Sequence, residues 1–157
     1  MDRLSPERRS WLMSRVGSKD TAPELSVRRY LHGRGYRYRL HVGGLPGKPD
    51  LVFPARRCVV FVHGCFWHGH GCKIGKLPKS RGDFWTPKIL RNRERDAERS
   101  GALRKLGWRV LTLWQCETRD MAKAGRKLER FLDSRNKLRS TRRTKASKIG
   151  LRGGSTA

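Results

Sequence analysis

Acidic residues are scarce in this chain: 13 Asp and Glu stand against 38 Lys and Arg in 157 residues, a formal net charge of +25. That balance argues against an ordinary metabolic enzyme and makes nucleic acid, a polyanion, the first partner to consider. Long apolar runs are missing too. Stretches such as Cys58 to Val62 fall far below the roughly 20 residues that a membrane span requires. The chain opens Met1-Asp2-Arg3 with no signal-like apolar segment, so a soluble, cytoplasmic protein with no membrane partner is expected. Cysteine is sparse, with four in all, and in a chain without an export signal these are not read as a disulfide framework. No repeat at solenoid spacing is present, and the length suits one domain able to bury a core without staples.

The positive charge is not uniformly distributed. Residues 134–157 hold eight Lys or Arg and no acid, among Ser, Thr and Gly, which predicts a basic, disordered tail. The remaining 30 basic residues still outnumber the 13 acids in residues 1–133, so the folded part carries a net +17 by itself. Residues 1–20 read as a basic arm whose apolar cluster is Trp11-Leu12-Met13. Residues 21–133 are left as the folded domain.

Thr21-Ala22-Pro23-Glu24 has the form of a capping box with proline in the first turn. Val27, Tyr30 and Leu31 follow at helical spacing before Gly33 and Gly35, which predicts a helix over 22–33. Alternation of Tyr36, Tyr38 and Leu40 with basic residues predicts a half-exposed strand. A Gly/Pro-rich loop over 43–49 then feeds strands at Asp50 to Phe53 and Cys58 to Val62. A second helix is expected to start at Thr86-Pro87 and to run through Leu103 and Leu106 to Gly107. Trp108 to Trp114 reads as a strand, and Met121, Leu128, Phe131 and Leu132 mark a last amphipathic helix. This order implies an α/β or α+β sandwich around a mixed sheet.

Residues 63–72 show neither helical nor strand periodicity, so something other than a backbone ladder must order them. Cys65, His70 and Cys72 lie there within eight residues, and thiolates with an imidazole are what tetrahedral zinc selects. Cys116, just past the strand ending at Trp114, is the candidate fourth ligand. Cys58 competes on composition, but it opens an apolar strand, where buried free cysteine is common. Three histidines, His63, His68 and His70, share this stretch, and those that zinc does not take are free for acid-base work. A hairpin between the strands at 50–53 and 58–62 could bring Asp50 to the same sheet edge as His63, where a carboxylate can hold Mg2+. Phe66-Trp67 sits on the non-periodic loop and Phe84-Trp85 before a helix. In a basic protein such aromatics can stack on bases or wedge between steps. Trp108, Trp114, Phe53 and Phe61, on strands, read as core.

Taken together, Pro49-Asp50, Phe61-Val62-His63-Gly64-Cys65-Phe66-Trp67-His68, His70-x-Cys72, Phe84-Trp85, Glu94-Arg95-Asp96, Gly107-Trp108-Arg109-Val110 and Trp114-x-Cys116 resemble the very short patch repair (Vsr) endonucleases. The resemblance spans about residues 8–132, and its His-Gly-Cys-Phe-Trp-His string is highly specific. It implies an α/β fold: a restriction-endonuclease-like core with a central mixed β-sheet flanked by helices, plus a structural zinc site. In this family the usual nuclease Lys is replaced by His, here His63. The implied activity is Mg2+-dependent nicking of double-stranded DNA 5′ to the thymine of a T:G mismatch, the lesion left when 5-methylcytosine deaminates.

Carried onto this sequence, the resemblance makes Asp50 the Mg2+ ligand, His68 the base acting on the attacking water and His63 a phosphate-contacting catalytic residue. Glu24 matches the first-helix acid that supports the metal waters, and Asp96 the partner of a catalytic histidine. Cys65, His70, Cys72 and Cys116 match the structural zinc ligands. Phe66, Trp67 and Trp85 match wedge aromatics, with Met13 reaching from the arm. Val62 stands where family members often have Thr, so its metal contact is expected through the backbone carbonyl. The resemblance further implies a bacterial, nucleoid-associated monomer, with mismatch-repair proteins as candidate partners.

Overall fold

In the computed structural model, the structure describes residues 5, 7, 8, 11, 19–79 and 81–134; Met13, most of the arm and the tail beyond 134 lie outside these. Helix α1, Ala22–Gly33, begins at Thr21, whose Oγ1 accepts the Glu24 N–H, and its last turn gives way to Gly35 at φ +87°. These bounds are those the capping signals predict. Strands β1 (Leu51–Phe53) and β2 (Cys58–His63) pair antiparallel, and β2 pairs parallel with β3 (Arg109–Trp114). The parallel connection runs through α2, Gly82–Lys105, and a further helix, α3, occupies 121–134.

The mixed sheet has order β1-β2-β3 and is covered on both faces. Because side chains alternate along a strand, Cys58, Val60 and Val62 pack with Val27 and Leu31 of α1 and Leu128 and Leu132 of α3. Val59 and Phe61 face the other way, onto Leu103 of α2. The result is an α/β sandwich of three layers. Close approach of α1 to α3 depends on Gly125: a Cβ there would lie 2.0 Å from Cζ of Tyr30. Among the described residues no helix is long and apolar enough to cross a membrane.

Three expectations need correction. The strand over 36–40 is only an isolated bridge, Arg39 to Val52. Its tyrosine alternation reflects side-chain packing, since Tyr38 Oη donates to the Arg28 carbonyl (3.0 Å) and Tyr36 Oη to Asp133 (2.8 Å). Helix α2 starts four residues before Thr86, so Pro87 lies inside it; the backbone bond that Pro87 cannot make falls near the helix start, where solvent can replace it. The same helix, expected to run through Leu106 to Gly107, ends at Lys105, leaving Leu106 54% exposed before the chain turns at Gly107, φ +85°.

Candidate active site and metal centre

The C-terminal end of β2 and the N-terminal approach to β1 lie side by side, since β1 and β2 are antiparallel. Asp50 therefore sits beside Val62, and its Oδ2 accepts the Val62 N–H at 2.7 Å. Burial pushes the Asp50 carboxyl up to about 6; the Val62 N–H works against this, the Glu24 charge adds to it and Arg28 opposes it. Asp50 is partly buried and has no ion-pair partner among the described residues. Val62 has its N–H on that edge, and in extended backbone its carbonyl projects the same way. A carboxylate with a carbonyl suits a hard cation.

Glu24, 3% exposed, reaches the same cleft from α1. Its Oε2 accepts the Asp20 N–H (3.1 Å) and pairs with Arg28 Nη2 (3.0 Å), while Oε1 accepts from the Thr21 hydroxyl (3.2 Å). Arg28 also bonds Asp20 at 2.5 Å. The capping box thus does two things at once: it starts α1 and fixes a buried carboxylate on the cleft wall.

His63 ends β2, and His68 lies in the turn that follows. Their rings stack with centroids 3.8 Å apart and planes within 8°. His68 Nδ1 stands 2.5 Å from Asp96 Oδ2 on α2, which leaves Nε2 with no protein partner among the described residues. His63 Nδ1 is buried without a hydrogen bond, 3.9 Å from the same oxygen. Burial, then the His68 charge, pulls the His63 pKa down to about 4 against the opposing pull of Asp96, so the ring is neutral at neutral pH. His63, His68 and Asp96 also have ligand atoms within 4.8 Å of one another. Parallel stacked imidazoles cannot both aim an in-plane lone pair at one ion, so the trio reads as a hydrogen-bonded acid-base group instead. These residues line one cleft of about 930 Å³ that also takes in Asp50, Glu24 and Trp67.

Cys65, His70, Cys72 and Cys116 form a second cluster, with one ligand atom from each within 4.8 Å of the others. Cys116 Sγ lies 3.5 Å from His70 Nδ1, close to the ligand separation that tetrahedral bonds of about 2.3 and 2.1 Å require. At Cys72 burial raises the thiol pKa, but hydrogen bonds from the Gly75 N–H, His70, Cys65 and the Ile74 N–H outweigh it and bring the value to about 6. Burial pushes Cys65 up to about 12. Three thiols and one imidazole within 4.8 Å of one another make a donor set that fits zinc. Cys58 is at the far end of β2, fully buried, with its Sγ accepting from Arg109 Nη2 at 3.1 Å, outside this cluster.

Phe66, Trp67 and Trp85 make a half-buried edge-to-face cluster, with centroids 5.1–5.9 Å apart. The Lys88 ammonium lies 5.5 Å from the Trp67 ring centroid and 5.6 Å from that of Trp85. Asn92 Nδ2 donates to the Trp67 carbonyl at 2.8 Å, fixing the loop to α2. The loop docks so closely at Gly69, φ +64°, that a Cβ there would sit 2.6 Å from Ile89.

Every site residue singled out in the sequence and described in the structure falls in one of these three groups. Sequence reasoning missed Arg28, Asn92 and Trp114. Arg28 had a signal, its i,i+4 spacing from Glu24; Asn92 had none. Trp114, expected as core, stacks on His70 (4.3 Å, 10°) and meets His63 edge-on (5.6 Å), joining the metal-candidate cluster to the histidines.

A family model described as DNA mismatch endonuclease Vsr matches residues 1–74. The chain is 60% identical over 132 residues to the type II nicking enzyme V.XorIIP of Xanthomonas oryzae pv. oryzae, spanning 84% of this chain and 97% of that one. It is 42% identical over 131 residues to the type II nicking enzyme V.NmeAIP of Neisseria meningitidis, spanning 83% and 94%. Identity to the DNA mismatch endonuclease Vsr of Escherichia coli is 44% over 115 residues, spanning 73% and 74%.

Proposed function

This chain belongs to the Vsr family of DNA mismatch endonucleases, and from that premise we propose that it is a Mg2+-dependent enzyme that nicks DNA 5′ to the thymine of a T:G mismatch. The observation that carries the reading is the meeting, in one cleft, of a partly buried carboxylate that has no ion-pair partner among the described residues with a histidine oriented by a second carboxylate. The fold is taken as a restriction-endonuclease-like core over residues 21–133, between a basic arm (1–20) and a basic tail (134–157).

Asp50 and the Val62 carbonyl would hold Mg2+, and Glu24, locked by Arg28, would accept hydrogen bonds from its waters. Bound there, the ion supplies positive charge for the attacking and leaving oxygens of a phosphodiester displacement. His68 is the general base: with Nδ1 tied to Asp96, Nε2 takes the proton of a water as its oxygen bonds to phosphorus and the P–O bond to the leaving sugar oxygen breaks. Neutral His63 contacts the phosphate. A neutral neighbour matters because a second imidazolium stacked at 3.8 Å would oppose the charge His68 gains.

Cys65, His70, Cys72 and Cys116 would hold a structural Zn2+ that fixes the loop bearing the aromatics. Phe66, Trp67 and Trp85 act as the wedge, with Met13 contributed by the arm. A T:G pair stacks less well than a matched pair, so opening the step beside it costs less. The enzyme is read as a monomer acting on double-stranded DNA in the bacterial cytoplasm at the nucleoid, with mismatch-repair proteins as candidate partners.

The test is strand-resolved mapping of the cut on a duplex with one T:G pair. A single break immediately 5′ to the mismatched thymine supports the reading; cleavage elsewhere, or of both strands, overturns it.

A further inference from the structure

The segment from His41 to Pro49 walls the cleft, and it holds two of the five described non-glycine residues with positive φ: His41 at +53° and Lys48 at +48°. Lys48 is the more costly, because a residue before proline is already restricted and a β-carbon is unfavourable in the left-handed region. Its setting forces the conformation. Leu45-Pro46-Gly47-Lys48 is a tight turn closed by the Lys48 N–H on the Leu45 carbonyl at 3.3 Å, with proline second and Gly47, φ +75°, third. The turn is pressed against the domain: a Cβ on Gly47 would lie 3.0 Å from Arg99 Cβ and 3.2 Å from Phe61. On the other side Pro49 is buried and leads directly into Asp50. Lys48 is therefore pinned from both directions in a backbone state that Gly or Asn would adopt at less cost.

Its side chain is exposed, lines the cleft, and has no ion-pair partner among the described residues. Arg99 and Lys19, on the same cleft, are likewise without an acidic partner there, whereas Arg28 is spent on Glu24 and Asp20. Resting on the reading of this cleft as a DNA site, we propose that Lys48 is a substrate-contact residue whose ammonium binds a phosphate of the DNA backbone beside the reacting one. Backbone strain, a pressed turn and an unpaired cation at the mouth of the cleft then share one cause. Lys48 supplies positive charge to a cleft that also holds the carboxylates Glu24, Asp50 and Asp96.

The test compares wild type, Lys48→Asn and Lys48→Arg by fluorescence anisotropy on matched and T:G duplexes over a series of salt concentrations without Mg2+, together with thermal melting. Lys48→Asn is expected to weaken binding to both duplexes about three- to tenfold and to make the slope of log K against log salt shallower by about 0.9, the loss of one phosphate contact. Lys48→Arg restores both, and Lys48→Asn melts no lower than wild type because Asn tolerates the left-handed region. An unchanged slope and affinity for Lys48→Asn, with the fold intact, overturns the assignment. Because binding to either duplex reads Lys48 directly, a wild-type protein that binds but does not nick at T:G would sink the proposed reaction while still deciding this one.

Discussion

The carboxylate of Asp96 lies 2.5 Å from Nδ1 of His68, which reaches it across 28 residues of chain. If Asp96 works through His68, the two substitutions should not add. His68→Ala is expected to slow single-turnover nicking about 100- to 10,000-fold, the range for loss of a general base, with DNA affinity little changed. Asp96→Asn should lose part of that rate, and the double variant should be no slower than His68→Ala alone. Additive losses would separate the two residues.

Asp50 gives a prediction in two directions. Asp50→Asn should abolish Mg2+-dependent nicking and yet stabilise the Mg2+-free protein above pH 6. With its pKa raised from 3.8 to about 6, the folded state binds the Asp50 proton more tightly than the unfolded chain. Its contribution to stability is thus full below about pH 4 and lost as pH rises through 6, at about 1.4 kcal/mol per pH step of difference. His63, lowered from 6.5 to about 4, works oppositely and loses stability as pH falls from 6.5 to 4. The wild-type curve therefore partly cancels, and the variant-minus-wild-type difference in Tm across pH 4–8 is the quantity to measure. A difference that does not grow with pH contradicts the account.

Zinc content separates the cysteines. One zinc per chain is expected by elemental analysis, reduced in Cys72→Ser and Cys116→Ser with a lower Tm, because structural zinc contributes folding free energy directly. Cys58→Ser should keep its zinc. Loss from the Cys58 variant alone would reassign the ligands.

Gly125→Ala should destabilise by about 1–3 kcal/mol, since the Tyr30 ring occupies the space of the added carbon. Denaturant melts of this variant in a Tyr30→Leu background should show a smaller loss. Equal losses in both backgrounds would place the strain elsewhere.

Local signals carried most of the fold. Helix α1 was legible from Thr21, Glu24 and the glycines because capping is a short-range event, and β2 from its apolar run. Elements failed where a tertiary partner overrode the pattern: Tyr36 and Tyr38 alternate like a strand but bond to Asp133 and Arg28. In the site, the metal-candidate cluster could be proposed from residue types crowded into 65–72, with Cys116 placed by the end of a strand. The pairing of His68 with Asp96 is a contact between a turn and a helix, and no periodicity reports it; family resemblance pointed to Asp96. Asn92 and Trp114 act through a carbonyl and a ring face, neither of which leaves a mark in sequence.

Trp67→Ala should lower the preference for T:G over matched DNA, since aromatics inserted at an opened step recover about 1–3 kcal/mol per stacked base. Neutralising Arg142 and Arg143 in the tail should weaken both duplexes equally and reduce the salt dependence. If Trp67→Ala weakens both duplexes by one factor, the aromatic cluster is packing and selection lies elsewhere.

The central claim is mismatch-dependent, Mg2+-dependent cleavage, and the most direct measurement is the single-turnover nicking rate of the wild-type protein on otherwise identical T:G and matched duplexes, with and without Mg2+. The account predicts a break in the T:G duplex with Mg2+ and little or none in the other three conditions. Equal rates on the two duplexes, or nicking that persists without a divalent cation, would contradict it.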